Sequence, residues 1–531
     1  MAFNLLTNGV KLQAAADNYR TVDGGFILRG REVLLDLPTP AVRVYVHGWQ
    51  SWGLTTWLPA GRPLPIPFPK AVNPLRVDLA LAGRPNVTSS WVGAVKFSDE
   101  KILLLGALGL DAHVEYLEGT MRGWYDQAQG EWFVAYGKEV EVFDQYATEL
   151  SKIFGRARDT SPPRVWCSWN SLYTHIEEDG LSRILQELQG FAFDVFQVDD
   201  GWQQSIGDWE PNAKFPSGMQ ALADSIRAQG FIPGIWASPF IASKTSRLFK
   251  NHPDWFLRDE QGQLVSAGNN LGNQLFALDV SLPDVLDWLA ALMKKIRGWG
   301  YDYLKLDFLY AGALPGKRSS GISRENSLRS ALKVMRDNLE NAYLLVCGVP
   351  ILPALGLCDG IRIGPDTGPE WYNRLFGETL YDFGMPGGQN SIRTCLHRLW
   401  LKPLAHLDPD SVHFRSIHLD WTPEQREFAQ LLAMICGIRG TSDLPRWLDP
   451  RERDQLADFL RTEPVVIRQD RYRFMVDGRM VDFSPVVDLP PLSAMKTGPI
   501  KRAIQHLSSS AAILRLLGMY EEYLRKRRLQ S

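Results

Sequence analysis

Acidic residues close several short apolar runs in this chain. Phe196-Gln197-Val198-Asp199-Asp200-Gly201-Trp202 ends one run on two adjacent aspartates. Tyr303-Leu304-Lys305-Leu306-Asp307-Phe308 ends another, and the strand period of two puts Lys305 and Asp307 on one face. Gly360-Ile361-Arg362-Ile363-Gly364-Pro365-Asp366 ends a third, and Asp408-Pro409-Asp410 follows a fourth. Ile235-Trp236-Ala237-Ser238-Pro239 brings a tryptophan to the same kind of position. Taken singly, each aspartate reads most simply as a helix N-cap or turn residue, and Trp236 as core. Asp199 and Asp200 point to opposite sides of an extended chain, so one of them has a purely structural reading. Convergence of several acids with one Lys, one Arg and one Trp is harder to explain by capping. Two carboxylates flanking a bond, polar groups for hydroxyls and an aromatic face for a pyranose make the apparatus of glycoside hydrolysis. No histidine shares these motifs, so no metal reading competes, and nothing calls for a cofactor.

Such residues need a scaffold that gathers strand ends. After Pro163, β-type runs at 165–169, 195–198, 232–237, 303–308, 344–349 and 361–364 alternate with helical patterns at 181–188, 219–229, 285–296 and 327–339. Further strands near 403–407 and 434–438 bring the count to about eight, the number that closes a (β/α)8 TIM barrel, whose chemistry sits at the C-terminal strand ends. An open doubly wound sheet is the runner-up, without a Gly-rich first turn to support it. Before the double proline at 162–163 the chain reads as all-β: 26–28, 42–46, 102–105 and 131–143 are short apolar or alternating runs, suggesting an antiparallel β-sandwich. The expected organisation is therefore multidomain α/β. It has a sandwich over 1–160, a catalytic barrel over 161–450, and a small C-terminal β region with a helical tail over 451–531. In the tail, Ile504, Leu507, Ala511, Leu514, Leu517, Tyr520 and Leu524 form a helical stripe. The protein's own barrel or β-domain is its preferred cover, ahead of a neighbouring subunit in a homo-oligomer.

Composition narrows the function classes. The 58 Lys+Arg and 60 Asp+Glu nearly cancel, so no global field draws the chain to nucleic acid or an anionic membrane. No apolar run reaches the length of a membrane span, and the start lacks signal-peptide character. Five scattered cysteines without a CxxC pair read as reduced thiols in a cytoplasm. There is no HExxH, no GxSxG and no phosphate loop. The 18 tryptophans suit a core and sugar binding alike.

Trp166-Cys167-Ser168-Trp169, Val198-Asp199-Asp200-Gly201-Trp202, Lys305-Leu306-Asp307-Phe308 and Arg362-Ile363-Gly364-Pro365-Asp366-Thr367 occur in an order and spacing that resembles family 36 of the glycoside hydrolases, the α-galactosidases. Gly48-Trp49-Gln50-Ser51-Trp52-Gly53 also looks like a family motif. The resemblance implies a retaining double displacement on an α-galactoside such as melibiose or raffinose. Asp307 is then the nucleophile and Asp366 the acid/base, with carboxyls about 5 to 5.5 Å apart. It further implies that Asp199 and Asp200 hold the galactose 4- and 6-hydroxyls, Lys305 the hydroxyls near C3 and C4, and Arg362 the 2-hydroxyl. Trp236 would stack on the sugar and Cys347 line the pocket, while Trp49 or Trp52 would reach over the mouth. Where the family often carries an aromatic after Trp-Cys-Ser-Trp, this chain has Asn170, which changes the expected pocket rim. A raffinose-synthase-like galactosyl transferase, an α-N-acetylgalactosaminidase and a non-catalytic sugar-binding protein are the alternatives.

Overall fold

A computed structural model describes residues 1–508 apart from 8, 68–72, 271, 320, 496 and 497. Up to residue 137 the chain forms two antiparallel sheets. The six-stranded sheet runs Ala2–Thr7, Val10–Ala15, Glu32–Asp36, Thr120–Tyr125, Ala112–Leu117, Thr88–Ser90. The seven-stranded sheet runs Asn18–Val22, Gly25–Gly30, Gly130–Gly137, Ile102–Ala107, Val92–Lys96, Arg43–Val46, Thr56–Pro59. The two press face to face: a Cβ at Gly93 on one sheet would collide with Val114 and Tyr116 on the other, so glycine sets the layer spacing there.

The expected run at 131–143 is only half strand. It ends at Gly137, and a helix, Glu139–Phe154, takes over. Val142, Phe143, Tyr146, Ala147 and Leu150 are its buried apolar residues, and their three- and four-residue spacing is a helical face rather than a pleat. This helix closes over the seven-stranded sheet and carries the chain to the linker.

Beyond the linker lies an all-parallel sheet. Its strands are β1 (Arg164–Cys167), β2 (Val195–Val198), β3 (Ile232–Ala237), β4 (Tyr303–Leu306), β5 (Tyr343–Val346), β6 (Gly360–Arg362), β7 (His406–Asp408), β8 (Ser411–Val412) and β9 (Arg439–Thr441). Their order is β7-β6-β5-β4-β3-β2-β1-β9-β8. β7, at one end of this order, is also bridged in parallel to Gly437, just before β9, through Leu407. Parallel neighbours need crossovers, and helices Glu178–Glu187, Gly218–Ala228, Pro283–Gly298 and Arg324–Asp337 supply them with apolar faces such as Leu181, Ile184 and Leu185. Inside the sheet sits a separate small core of Val165, Cys167, Val195, Tyr303, Leu345 and Ile438, contributed by strands far apart in that order.

Several boundaries differ from the sequence reading. The expected strand near 434–438 is the end of a helix, Pro423–Cys436, opened by a Thr422–Gln425 capping box and stopped at Gly437 with φ 118. The strand that follows, Arg439–Thr441, has no apolar residue and was hidden for that reason. The long excursion after β3 is a three-stranded sheet of Ile241–Ser243, Asn273–Ala277 and Ser266–Asn270. The C-terminal region opens with a helix, Pro450–Arg461, before its three strands between 466 and 482. The tail stripe starts in helix Pro499–Ser508, where Gln505 donates to the Thr379 carbonyl (2.7 Å) and Lys501 to that of Glu378 (3.2 Å). That part rests on the chain's own 375–379 segment; Ala511, Leu514, Leu517, Tyr520 and Leu524 lie outside the described residues. Among the described residues no helix is long and apolar enough to cross a membrane.

Candidate active site

The C-terminal ends of β2, β3, β4 and β6 bring the acidic motifs together. β2 stops at Val198, so Asp199 and Asp200 leave the pleat and both turn inward; neither is on a solvent face. Lys305 Nζ donates to Asp199 Oδ2 (2.8 Å), and Gln197, two residues back on the same strand face, donates to the same oxygen (2.5 Å). Burial alone would lower the Lys305 ammonium, but Asp199 beside it holds it well above its ordinary value. Asp200 accepts from Gln203 Nε2 (2.6 Å), and its carboxyl is pushed up to about 6, chiefly by burial.

Asp307 follows β4. Its Oδ2 accepts from Trp236 Nε1 (3.0 Å) and its Oδ1 from the backbone N–H of Phe308 (2.7 Å). Trp236 thus fixes the carboxyl with its indole nitrogen. Phe308 has φ 55, a left-handed conformation that costs a non-glycine residue energy and is retained where the surroundings hold it. The aromatic edge next to it is Trp52, whose ring meets those of Phe308 (5.3 Å) and Tyr310 (6.2 Å) edge-on. Trp49 is deeper, 1% exposed, against Tyr310 and under the Arg324 guanidinium. Of the two sequence candidates, Trp52 is therefore the one whose ring meets Phe308, the residue after Asp307. Cys347 follows β5, buried, with its thiol pushed up by burial; Asp307, Arg362, Lys305 and Asp366 all act on it electrostatically. Gly348 beside it has φ 54, and a Cβ there would sit 2.9 Å from the Trp52 ring.

Arg362, at the end of β6, contacts three carboxylates: Asp408 (2.8 Å), Asp410 (2.8 Å) and Asp366 (3.0 Å). The Asp366 carboxyl is pushed up to about 6, by burial first and by Asp410 second. Among the described residues no cluster of His, Cys, Asp and Glu is arranged to hold a metal ion.

Asn170 does not line an open rim. It is buried, and its amide donates to Asp410 Oδ2 (3.1 Å) and Thr367 Oγ1 (3.4 Å). Sequence reasoning also passed over Gln197, whose signal is a lone polar residue in an apolar strand. It gave Asp408 and Asp410 no partner, because that partner lies on another strand. Arg398 left no signal either. It is fully buried and donates to the carbonyls of Gly48, Gln50, Ser51 and Gly53 and to that of Ile363 (2.7 to 3.1 Å). One guanidinium so ties the Gly-Trp-Gln-Ser-Trp-Gly loop of the N-terminal sheets to the turn that leads to Asp366. Burial without a carboxylate partner lowers it to about 10.

Comparison with known proteins agrees with this geometry. The melibiase family model matches residues 139–336. A Thermus thermophilus α-galactosidase, solved with p-nitrophenyl α-D-galactopyranoside, is 44% identical, with a TM-score of 0.88 over 92% of this chain and 100% of its own. AgaA of Geobacillus stearothermophilus, a family 36 α-galactosidase, shares the fold at 15% identity and a TM-score of 0.55, over 85% of this chain and 65% of its own. In sequence, the probable α-galactosidase G of Emericella nidulans is 33% identical over 152 residues, 25% of this chain and 20% of its own. The alignment to AgaA is 27% identical over 215 residues, 38% of this chain and 28% of that protein. The matched stretch is thus between a fifth and somewhat over a quarter of those two relatives' length. With 44% identity over the whole of the Thermus protein and the acidic strand ends assembled on one rim, the chain belongs to the melibiase family of α-galactosidases.

Proposed function

We propose that the chain hydrolyses terminal α-linked galactose from melibiose- and raffinose-type oligosaccharides with retention, through a galactosyl-enzyme on Asp307. The observation that carries this reading is the division of labour between two carboxyls on one rim. Asp307 has both oxygens occupied by donors that aim it, whereas Asp366 is pushed up to about 6 and so carries a proton to deliver. In the first step Asp307 attacks the anomeric carbon while Asp366 protonates the departing oxygen. Esterification removes the charge on Asp307, which lowers the proton affinity of Asp366 and lets it act next as a base toward water. Asp199, Asp200 and Lys305 are the hydroxyl clamp, Arg362 faces the 2-hydroxyl, Trp236 and Cys347 line the sugar pocket, and Trp52, backed by Trp49, borders the mouth. The Thermus relative was also solved with stachyose, which supports a galacto-oligosaccharide substrate. The parallel sheet closes as a (β/α)8 barrel in this reading, supported by the Leu407–Gly437 bridge and the small core inside the sheet. The domains divide at about 160 and 450, as the change from antiparallel sheets to parallel sheet and the helix at 450 suggest. Five buried, unpaired cysteines suit a reducing cytoplasm.

Hydrolysis of aryl α-galactoside, α-glucoside and α-N-acetylgalactosaminide side by side tests the reading. Turnover confined to the first supports it, and preference for either of the others overturns it.

The clamp has its own expected outcome. Asp199→Ala removes a charged acceptor for hydroxyls and leaves Lys305 buried without its partner. Hydrogen bonds to charged groups contribute about 1.5 to 3 kcal/mol, and an orphaned buried charge costs about 3 to 5 kcal/mol. Both kcat/KM, by about 100-fold, and Tm should fall. Near-normal kcat/KM would make the pair a turn.

The pH dependence has a definite sign. Asp366 acts in its protonated form, which is full below about 6 and lost above it. For poor leaving groups kcat/KM should therefore decline on the alkaline side of about 6. A flat profile up to pH 9 for raffinose would contradict the assignment.

A further inference from the structure

One guanidinium serves three carboxylates at the end of β6, and a single positive charge cannot neutralise them all. The donors around each decide where the remaining proton sits. Asp410 accepts from the Thr367 backbone N–H (2.7 Å), the Asn170 amide (3.1 Å) and Arg362 Nη2 (2.8 Å), while the Thr367 hydroxyl, 3.1 Å away, has the Ser411 carbonyl as its nearer acceptor (2.7 Å). Three donors on one carboxyl favour its charged form, and despite burial Asp410 is held below its ordinary value, with Arg362 the first charge responsible. Asp408 accepts from Arg362 Nε (2.8 Å) and from the Asp410 backbone N–H (2.9 Å). Asp366 has, among the described residues, Arg362 as the one donor to its side chain.

The geometry points to Asp410 as the positioning residue of the general acid: through Thr367 it seats the turn that carries Asp366, and by occupying Arg362 it leaves the proton on Asp366. This rests on the reading of Asp366 as acid/base. The backbone of Asp410 supports it. With φ 78 the residue is left-handed, and this kink between β7 and β8 turns its side chain from the strand toward Thr367. The other groups acting on Asp366 do not replace it. Lys305 is engaged by Asp199, Asp307 loses its charge when it is galactosylated, and Cys347 is a neutral thiol. Of the two carboxylates that act on Asp366, Asp410 and Asp307, it is Asp410 that keeps its charge and place through both steps, with Asn170 as its brace from the end of β1. Asn170 is in this account part of the acid's support and not a sugar contact.

The test compares Asp410→Asn and Asn170→Ala with the unaltered chain, on raffinose and on p-nitrophenyl α-galactoside, over pH 4 to 9. Asp410→Asn keeps an oxygen for Thr367 and removes the charge. The alkaline limb of kcat/KM for raffinose should move down by about one pH unit, with kcat/KM for the aryl substrate within about threefold of the unaltered enzyme. Asn170→Ala keeps the charge and removes the brace. It should lower kcat/KM on raffinose by about 3- to 10-fold, lower that on the aryl substrate far less, and move the limb by less than Asp410→Asn does. An unmoved limb in Asp410→Asn, or equal fractional losses on both substrates in either variant, overturns the proposal. If Asp410→Asn does not fold, the substrate dependence of Asn170→Ala decides. Asp366→Ala assayed in parallel separates the two levels. Undiminished raffinose hydrolysis in that variant fails the acid/base reading itself, whereas its loss together with an unmoved Asp410→Asn limb fails only the role of Asp410.

Discussion

Asp307→Gly should lose turnover of every α-galactoside, by about 10⁴-fold or more, because no group remains to attack the anomeric carbon. The two donors that held the carboxyl, Trp236 Nε1 and the Phe308 N–H, stay behind and line the emptied space. A small anion fits that description. Azide should restore part of the activity on p-nitrophenyl α-galactoside, and because it attacks from the nucleophile's face the product should be β-galactosyl azide. The measurements are the residual rate with and without azide and the anomeric configuration of the product by NMR. Substantial hydrolysis by the Gly variant without azide would remove Asp307 from this role.

Asp366→Ala should divide substrates by leaving group. Raffinose and melibiose need a proton on the departing oxygen, so their kcat/KM should fall by about 10² to 10⁴-fold. An activated aryl galactoside needs little help in the first step and should lose far less kcat/KM, while the galactosyl-enzyme accumulates for want of a base, lowering kcat and KM together. Azide should now intercept that intermediate from the opposite face and give α-galactosyl azide, the anomer opposite to that from Asp307→Gly. Equal losses on both substrate types, or the same azide anomer from both variants, would show that the two carboxyls do not divide the work in this way.

How much of this was visible in the chain depends on the range of the interactions. The alternation of β and helical runs, the acidic ends of β2, β4 and β6, and the pairing of Lys305 with Asp307 on one strand end are local patterns. Periodicity over a few residues fixes them. Where local pattern misled, a polar strand or an amphipathic helix was the cause. Residues 138–143 mix apolar and charged side chains in a way that short windows read as alternation, while the longer face through Leu150 is helical. Arg439–Thr441 is a buried strand with no apolar side chain at all.

The site's inner arrangement was of the other kind. That Lys305 answers Asp199, that Trp236 holds Asp307, that Trp52 meets Phe308, and that Arg398 gathers the 48–53 loop are contacts between residues 71 to 350 positions apart. No spacing rule reaches that far. By itself the sequence determined the kinds of groups present and the strand ends that carry them, since hydrophobic period and turn chemistry act along the chain. Only the tertiary structure decided how the surroundings of the carboxyls differ, because that follows from burial and from charges brought in from other strands. Asp366 with one donor and Asp410 with three are indistinguishable as letters, and the proposed acid and its proposed support differ only once Arg362 and Thr367 stand between them.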